Sequence, residues 1–468
     1  MSDPRAEAGS LPARFAAALA QFPRPSRYRV AYSGGLDSHV LLHLAARLAA
    51  ERPDFPELAA VHVHHGLLAA ADRWTEHCAQ VCRELAVPLE ILRVDARPQP
   101  GESPEEAARS ARYAALRGLL TTDCVLLTAQ HRDDQAETLL LQLLRGAGLA
   151  GLAAMGRLSP CGAGTLLRPL LDMGGDELRR YALDQGLSWV EDPSNRDQRY
   201  DRNFLRHAVM PLLKQRWPGA DRVLSRSAGH CAEALEQLAA LSADLYDSLR
   251  RPDGSLSADR LRHCSRPDQR LLLRRWIGEA GLRMPSARVL QRVVEDVLEA
   301  ASDRSPQVAW SEGQIRRYRD GLYLMPAEPA AGFDRRRVIG WQDEATLALP
   351  DGNGELWVER GAIRGIDPRS WDAAEREVRY RGGSERCRLE GRSGSHSLKN
   401  LFQEAGIPPW QRERIPLLYL DGRLAAVIGL WVCEPFAVSG PAIRLHWRRR
   451  QACRGNGLSE NFTHLPGD

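Results

Sequence analysis

Arg27-Tyr28-Arg29-Val30-Ala31-Tyr32-Ser33-Gly34-Gly35-Leu36-Asp37-Ser38 decides the fold. Arg27–Tyr32 reads as a strand, and from Ser38 to about Ala50 apolar residues recur at helical spacing. Between them, Gly34 and Gly35 let the backbone turn sharply, and the helix N-terminus offers unpaired N–H groups to an anion. Ser33 and Ser38 add hydroxyl donors, as the backbone amides of Gly34, Gly35 and Leu36 line the same turn. The turn lacks the lysine of a kinase-type phosphate loop. Asp37 is a carboxylate beside the expected phosphates, a placement that suits an anchor for Mg²⁺. Taken alone, the six residues from Ser33 would pass for a Gly-rich turn with an Asp–Ser helix cap. The strand before and the helix after favour a nucleotide loop.

Outward from this loop, apolar runs recur at Leu58–Val63, Leu89–Val94 and Val125–Ala129. Helical patterns follow them at about Ala71–Ala86, Pro104–Leu120 and Asp133–Arg145, after the first at Ser38–Ala50. Near-continuous apolar strands alternating with helices predict an α/β domain, a parallel sheet with helices on both faces. Ser103-Pro104-Glu105-Glu106 has the form of a helix start, with Ser as cap and Pro in the first turn. At 468 residues the chain exceeds one core of roughly 250–300 residues, so further domains are expected. We place the nucleotide domain at 1–216 and a mainly helical middle domain at 217–326. A linker at 327–374 leads to a small α/β C-terminal domain at 375–450, with a tail at 451–468.

Net charge is +4, from 64 basic and 60 acidic residues, so any nucleic-acid contact must come from local patches. No run approaches the ~18 apolar residues of a membrane helix, and no signal-peptide layout is visible, which points to a cytoplasmic protein. The nine cysteines are scattered, with no CxxC, and read as reduced core thiols rather than metal ligands. His62 and His64 share one strand face while His65 points away, a poor metal geometry, so these are strand-end or nucleotide-adjacent groups. His131 is a weaker candidate for the nucleotide site.

Asp134 and Glu137 open a helix at the ligand-facing edge of the sheet. Three residues apart, they share a helix face and suit a metal or a nucleophilic amine, or simply complement the helix dipole. Arg109 and Arg112 share another face and suit charge developing on phosphate, or pair with Glu105 and Glu106. Arg202, Asn203 and Arg206 form a third cluster with affinity for RNA phosphate or substrate. Near the C-terminus, Lys399, Arg412 and Arg414 interleave with Phe402 and Trp410 in a way that can grip RNA by charge and stacking.

The loop Ser33–Ser38 resembles that of the PP-loop, or N-type, ATP pyrophosphatases, whose fold is adenine nucleotide alpha hydrolase-like. Within them, more of the chain resembles the tRNA(Ile)-lysidine synthetases. The resemblance rests on HVHHGL at 62–67, ARSARY at 108–113, the long segment 128–155, RPLL at 168–171, EDPSN at 191–195 and DRNFLRHAVMPLL at 201–213. LKNLFQEAGIPPWQRERIPLL at 398–418 continues it near the C-terminus, whereas the middle domain matches only in position and helical character. The relatives commonly have Asn where this chain has His64.

The resemblance implies ATP as substrate and Mg²⁺ as cofactor, with free L-lysine and a CAU-anticodon tRNA(Ile) as partners; no membrane is involved, and a homodimer is left open. It implies adenylation of carbon 2 of the wobble cytidine, release of pyrophosphate, and displacement of AMP by the lysine ε-amine. It implies catalytic roles for Asp37, Asp134, Glu137, Arg109 and Arg112. Ser33, Gly34, Gly35, Leu36, Asp37, Ser38 and His65 would bind ATP, with Asp37 on the metal. Arg202, Arg206, Lys399, Trp410, Arg412 and Arg414 would contact tRNA. A thiolase of the same loop family would need paired cysteines, absent here. A small-molecule amidating ligase leaves the segment at 398–418 unexplained, and a non-catalytic relic would be expected to have lost Asp37 or the acidic pair.

Overall fold

The computed structural model describes residues 9–64, 71–95, 97, 104–301, 306–327, 333–342 and 344–448. His65, the cap residue Ser103 and the tail beyond Arg448 lie outside them. The chain forms two compact units, one ending at Leu241 and the other beginning at Ser242.

In the first unit, α1 (Leu11–Ala20) precedes β1 (Arg27–Ala31), α2 (Leu36–Glu51), β2 (Glu57–His64), α3 (Ala71–Glu84), β3 (Leu89–Arg93), α4 (Pro104–Leu119), β4 (Cys124–Leu127) and α5 (Arg132–Leu144). A short α6 (Leu149–Leu152), the hairpin β5 (Leu158–Cys161) and β6 (Gly164–Leu167), and α7 (Gly175–Asp184) follow. The strands lie in the order β3-β2-β1-β4-β6-β5, parallel except at the β5 edge. One face of the sheet is covered by α1, α2, α3 and α7, through Phe15, Leu41, Leu44, Cys78, Val81 and Leu178. The other is covered by α4, whose Leu116 packs with Leu120 just beyond its end on Val61, Leu126 and Leu166. Burial on both faces explains the unbroken apolar strands. The order reverses between β1 and β4, so the loops leaving their C-terminal ends flank one crevice, the place where such sheets bind ligands.

A helical stretch then runs through α8 (Asp201–Phe204), a π-helical turn at Leu205–Val209 and α9 (Met210–Arg216). The helix α10 (Ala220–Leu241) packs on α5 and α6, and its buried Asp221 accepts from Arg132 Nε at 2.6 Å. The first unit therefore runs past the boundary expected at 216, to Leu241 at the end of α10.

The second unit opens with α11 (Ala243–Leu249), β7 (Leu256–Ser257), α12 (Ala258–His263), α13 (Arg266–Glu279) and α14 (Ala287–Arg292), continued by a π-helical turn at Val293–Leu298. These pack on an antiparallel sheet of β7, β8 (Gln307–Ala309), β9 (Gly313–Tyr318) and β10 (Gly321–Pro326), around Tyr246, Leu273, Ile277, Val297 and Ile315.

The stretch expected as a linker is folded. It contributes β11 (Ile339–Gly340), β12 (Thr346–Ala348), β13 (Glu355–Ile366) and α15 (Pro368–Ala373). The Pro, Gly and Asp punctuation at 350–354 is the turn joining β12 to β13, with Asp351, Gly352 and Gly354 at φ 54°, 67° and 92°. The rest comprises β14 (Arg376–Arg379), β15 (Arg386–Cys387), β16 (His396–Ser397), α16 (Leu398–Glu404), α17 (Pro409–Arg412), β17 (Leu417–Leu420), β18 (Arg423–Val427), β19 (Trp431–Val432) and β20 (Ala437–Arg448). β13 pairs antiparallel with β20, from Glu355 opposite Arg448 to Ile366 opposite Ala437. Cys387 and Cys433 are joined in a disulfide, which corrects the expectation of reduced thiols throughout; their 46-residue separation hid the pairing. No helix among the described residues is long and apolar enough to cross a membrane.

Candidate active site

The loop after β1 is held by its own hydroxyls. Ser38 Oγ donates to the Gly35 carbonyl at 2.9 Å, lies 3.0 Å from Ser33 Oγ, and accepts from the Ser33 amide at 3.2 Å. The Gly34 carbonyl accepts from Val190 N at 3.0 Å, which ties the turn to the segment before EDPSN. Gly35 caps α2 with no side-chain hydrogen bond, so the first-turn amides keep no side-chain partner and are positioned for an anion. Gly34 sits at φ 86°, and an added Cβ would come within 3.0 Å of Cys78 Sγ. Gly34→Ala is therefore expected to carry roughly 1–2 kcal/mol of backbone strain and to displace the loop. The check is nucleotide affinity by calorimetry: unchanged ATP binding in a folded variant would contradict a loop that needs this turn.

Thr128, just after β4, is buried with no hydrogen-bond partner at Oγ1 among the described residues, and Gln130 has a buried Oε1 in the same condition. Such orphans sit where the crevice opens and suit a polar ligand.

His131 caps α5 and is buried at this seam. Its Nε2 lies 3.6 Å from Asp37 Oδ2 and 3.5 Å from Asp134 Oδ2, so one ring touches both the nucleotide loop and the acidic helix. Its backbone N–H donates to Asp134 Oδ2 at 3.0 Å, closing a capping box. Burial opposes the charged ring, but Asp134, Asp133 and Asp37 together outweigh it and hold its pKa well above the usual value. The 3.3 Å contact from the Asp133 amide to Nδ1 belongs to the neutral ring; protonated, Nδ1 faces Asp133 Oδ2 at 3.5 Å.

Asp134 and Glu137 do lie on one face of α5, and the structure brings Arg202 and Arg206 onto them. Arg202 donates to Glu137 Oε2 at 2.9 Å and to Asp134 Oδ1 at 3.1 Å. Arg206 donates to Glu137 Oε1 at 2.7 Å, Glu137 Oε2 at 2.9 Å and Asp134 Oδ1 at 2.8 Å. Burial alone would raise the Asp134 pKa, but His131 and the two guanidiniums drive it below the usual carboxylate range. The Glu137 side chain is 2% exposed and that of Asp134 13%, so Asp134 is the accessible member. Expected to contact RNA phosphate or substrate, Arg202 and Arg206 have their guanidiniums engaged by the two carboxylates of α5. Asn203 Nδ2 donates to the Ser194 and Asp197 carbonyls, each at 3.0 Å, and braces the segment after EDPSN.

Arg109 stacks over Tyr113 at 5.2 Å and shares an electrostatic neighbourhood with Arg168, whose guanidinium donates to the Gly156 carbonyl. His64 Nε2 pairs with Asp72 at 3.1 Å and His62 Nδ1 donates to the Tyr32 carbonyl at 3.0 Å. No cluster of three metal-ligating side chains occurs among the described residues.

In the second unit Lys399 is exposed on α16. Arg412 is only 6% exposed; its Nε donates to the Ile407 carbonyl at 2.7 Å and its Nη2 to Tyr318 Oη at 3.0 Å. It is a joint between α17 and β9, not a free hand for phosphate. Trp410 packs edge-on against Tyr323 and Tyr318, with Arg316 5.5 Å from its ring centroid. Arg414 covers Phe333 at 4.7 Å.

Asp133, Lys214, Arg132 and Asp221 were missed as supports of α5. The legible signal was Lys214 itself, since Lys214 and Lys399 are the chain's two lysines.

The PP-loop domain model matches residues 11–213, the TilS substrate binding domain residues 256–323 and the TilS substrate C-terminal domain residues 377–447. The tRNA(Ile)-lysidine synthase of Methylococcus capsulatus is 49% identical over 90% of this chain and 96% of its own length. The chain belongs to the tRNA(Ile)-lysidine synthase family. The lysidine synthase of Serratia proteamaculans is 46% identical over 90% of this chain and 95% of its own. Among solved structures, a U34-tRNA thiolase of Methanococcus maripaludis aligns at 18% identity and TM-score 0.41, over 47% of this chain and 78% of that one. As a lysidine synthase family member the chain is an enzyme, with its ATP-binding domain at 11–213.

Proposed function

We propose that this enzyme joins free L-lysine to carbon 2 of the wobble cytidine in the CAU anticodon of tRNA(Ile), through an adenylated tRNA, releasing AMP and pyrophosphate. The product reads AUA in place of AUG and turns a methionine identity into an isoleucine one. The observation that carries the proposal is the ring of His131, which spans from the nucleotide-loop carboxylate Asp37 to the acidic-helix carboxylate Asp134. Phosphate-binding amides and amine-binding carboxylates thus share one crevice.

The loop amides and the Ser33 and Ser38 hydroxyls receive the phosphates of ATP. The Asp37 side chain is 42% exposed at the head of α2, a hard oxygen donor of the kind Mg²⁺ accepts alongside phosphate oxygens. Held there by Asp37, Mg²⁺ would neutralise charge on the phosphates. The cytosine oxygen at carbon 2 attacks the α-phosphate, and pyrophosphate leaves. The lysine ε-amine, its proton released to solvent, attacks carbon 2, and the bond from carbon 2 to oxygen breaks as AMP leaves carrying that oxygen. Asp134 receives the incoming ammonium, while Glu137, too deep to touch substrate, anchors Arg202 and Arg206. Exposed Lys399, with Arg414 and Trp410, is offered to tRNA phosphate and bases outside the anticodon.

The nucleotide products check this proposal. One AMP and one pyrophosphate per modified tRNA are expected, pyrophosphate being released with tRNA alone and AMP only once lysine is also present. Formation of ADP and orthophosphate would contradict it.

A further inference from the structure

Lysine is nearly absent from this chain: of 64 basic residues, only Lys214 and Lys399 are not arginine. Lys214 is placed where the distinction has a physical reason. Its Nζ donates to Asp133 Oδ1 at 2.5 Å. The other carboxylate oxygen, Oδ2, accepts from the Gly175 amide at 2.7 Å and faces His131 Nδ1 at 3.5 Å. A compact ammonium can satisfy Oδ1 alone. A guanidinium fork seeks both oxygens and would draw Asp133 away from Gly175 and His131.

We propose that Lys214, Asp133 and His131 form a positioning relay that fixes Asp37 of the nucleotide loop against Asp134 of the acidic helix during lysine ligation. The relay crosses four parts of the first unit: α9 supplies Lys214, α5 supplies Asp133 behind its cap, α7 supplies the Gly175 amide, and α2 supplies Asp37. Asp133 holds the His131 ring from behind, and the far nitrogen of that ring sits between the two working carboxylates. A ring free to rotate would let the phosphate side and the amine side drift independently. A misplacement of about 1 Å is enough for roughly a hundredfold loss in rate. The relay rests on the ligase reading given above but assigns it residues that act behind the substrate-facing carboxylates Asp37 and Asp134.

The test uses the full chain with Lys214→Arg, Lys214→Met, His131→Asn and His131→Gln, each measured for labelled lysine transfer to tRNA(Ile) with ATP and lysine varied. Lys214→Arg keeps the charge and matches the chain's own preference for arginine. It is nevertheless expected to lower kcat roughly 10–100-fold with KM for lysine and ATP little changed. His131→Asn keeps a helix cap but loses the far nitrogen, and is expected to fall as far. His131→Gln, whose amide nitrogen reaches the Nε2 position, is expected to recover part of the loss. Wild-type kcat in Lys214→Arg, or equal activity in the Asn and Gln variants, overturns the relay. So does a loss that only follows a lowered thermal midpoint. If the wild type itself transfers no lysine, the ligase reading falls instead. The relay is then judged by the ¹⁵N signals of the His131 ring, which Lys214→Arg must shift and which, if unmoved, overturn it.

Discussion

Asp37→Ala is expected to reduce tRNA-dependent ATP–pyrophosphate exchange by roughly 10³-fold or more, the scale of losing a group that stabilises developing charge in a protected site. Three features converge on this carboxylate. It sits in the first turn of α2, directly after the Gly34–Gly35 turn that caps the helix. Its Oδ2 faces the buried His131 at 3.6 Å, and its side chain is open enough to meet a ligand. Replacement removes no apolar packing, so the fold should persist while exchange disappears. Asp37→Asn is expected to fall nearly as far, since a neutral amide is a poor Mg²⁺ ligand. Near-normal exchange in a folded Asp37→Ala protein would remove this residue from the metal and phosphate role.

Glu137→Ala is the second large effect, and it acts on stability as well as activity. Its two oxygens take three of the five hydrogen bonds that Arg202 and Arg206 make to the carboxylate oxygens of the acidic pair. Removing one side of a buried ion-pair grid leaves the other charges unpaired, at roughly 3–5 kcal/mol. For a unit of this size that corresponds to roughly 2–4 °C of thermal midpoint per kcal/mol. Arg206→Ala should cost less because Arg202 remains on the same carboxylates. The double variant should be less destabilised than the sum, since the second change removes a charge the first had stranded. Strict additivity in that cycle would mean that the pairs do not interact as the geometry requires.

Much of the first unit was legible because its signals are local. The Gly34–Gly35 turn, the apolar strands and the helical spacing each lie within a dozen residues, and their periods differ enough to separate. The acidic pair was legible for the same reason, being three apart on one helix. What Asp134 and Glu137 are bonded to was not, because Arg202 and Arg206 lie 65 to 72 residues away along the chain. Read in isolation, Arg202 and Arg206 suit RNA phosphate or substrate; their carboxylate partners on α5 become visible only in the fold.

The same limit explains the second unit. Pro350 to Gly354 carries every mark of a linker, yet those residues make the tight turn of the β12–β13 hairpin, and β13 goes on to pair with the distant β20. Arg412 has the composition of an RNA contact, but Tyr318, 94 residues earlier, claims its guanidinium. The partnership of Cys387 with Cys433 left no mark in spacing. Helix ends were nearly right where turn chemistry sets them, whereas the cap at His131 was missed because histidine is not among the usual capping residues.

The measurement that tests the central claim most directly is transfer of radiolabelled L-lysine, with ATP and Mg²⁺, to tRNA(Ile) bearing CAU, with the CAU-bearing methionine tRNA run alongside. Label is predicted in the isoleucine tRNA at the wobble cytidine and not in the methionine tRNA. No label in the isoleucine tRNA, or equal label in both, would contradict the assignment.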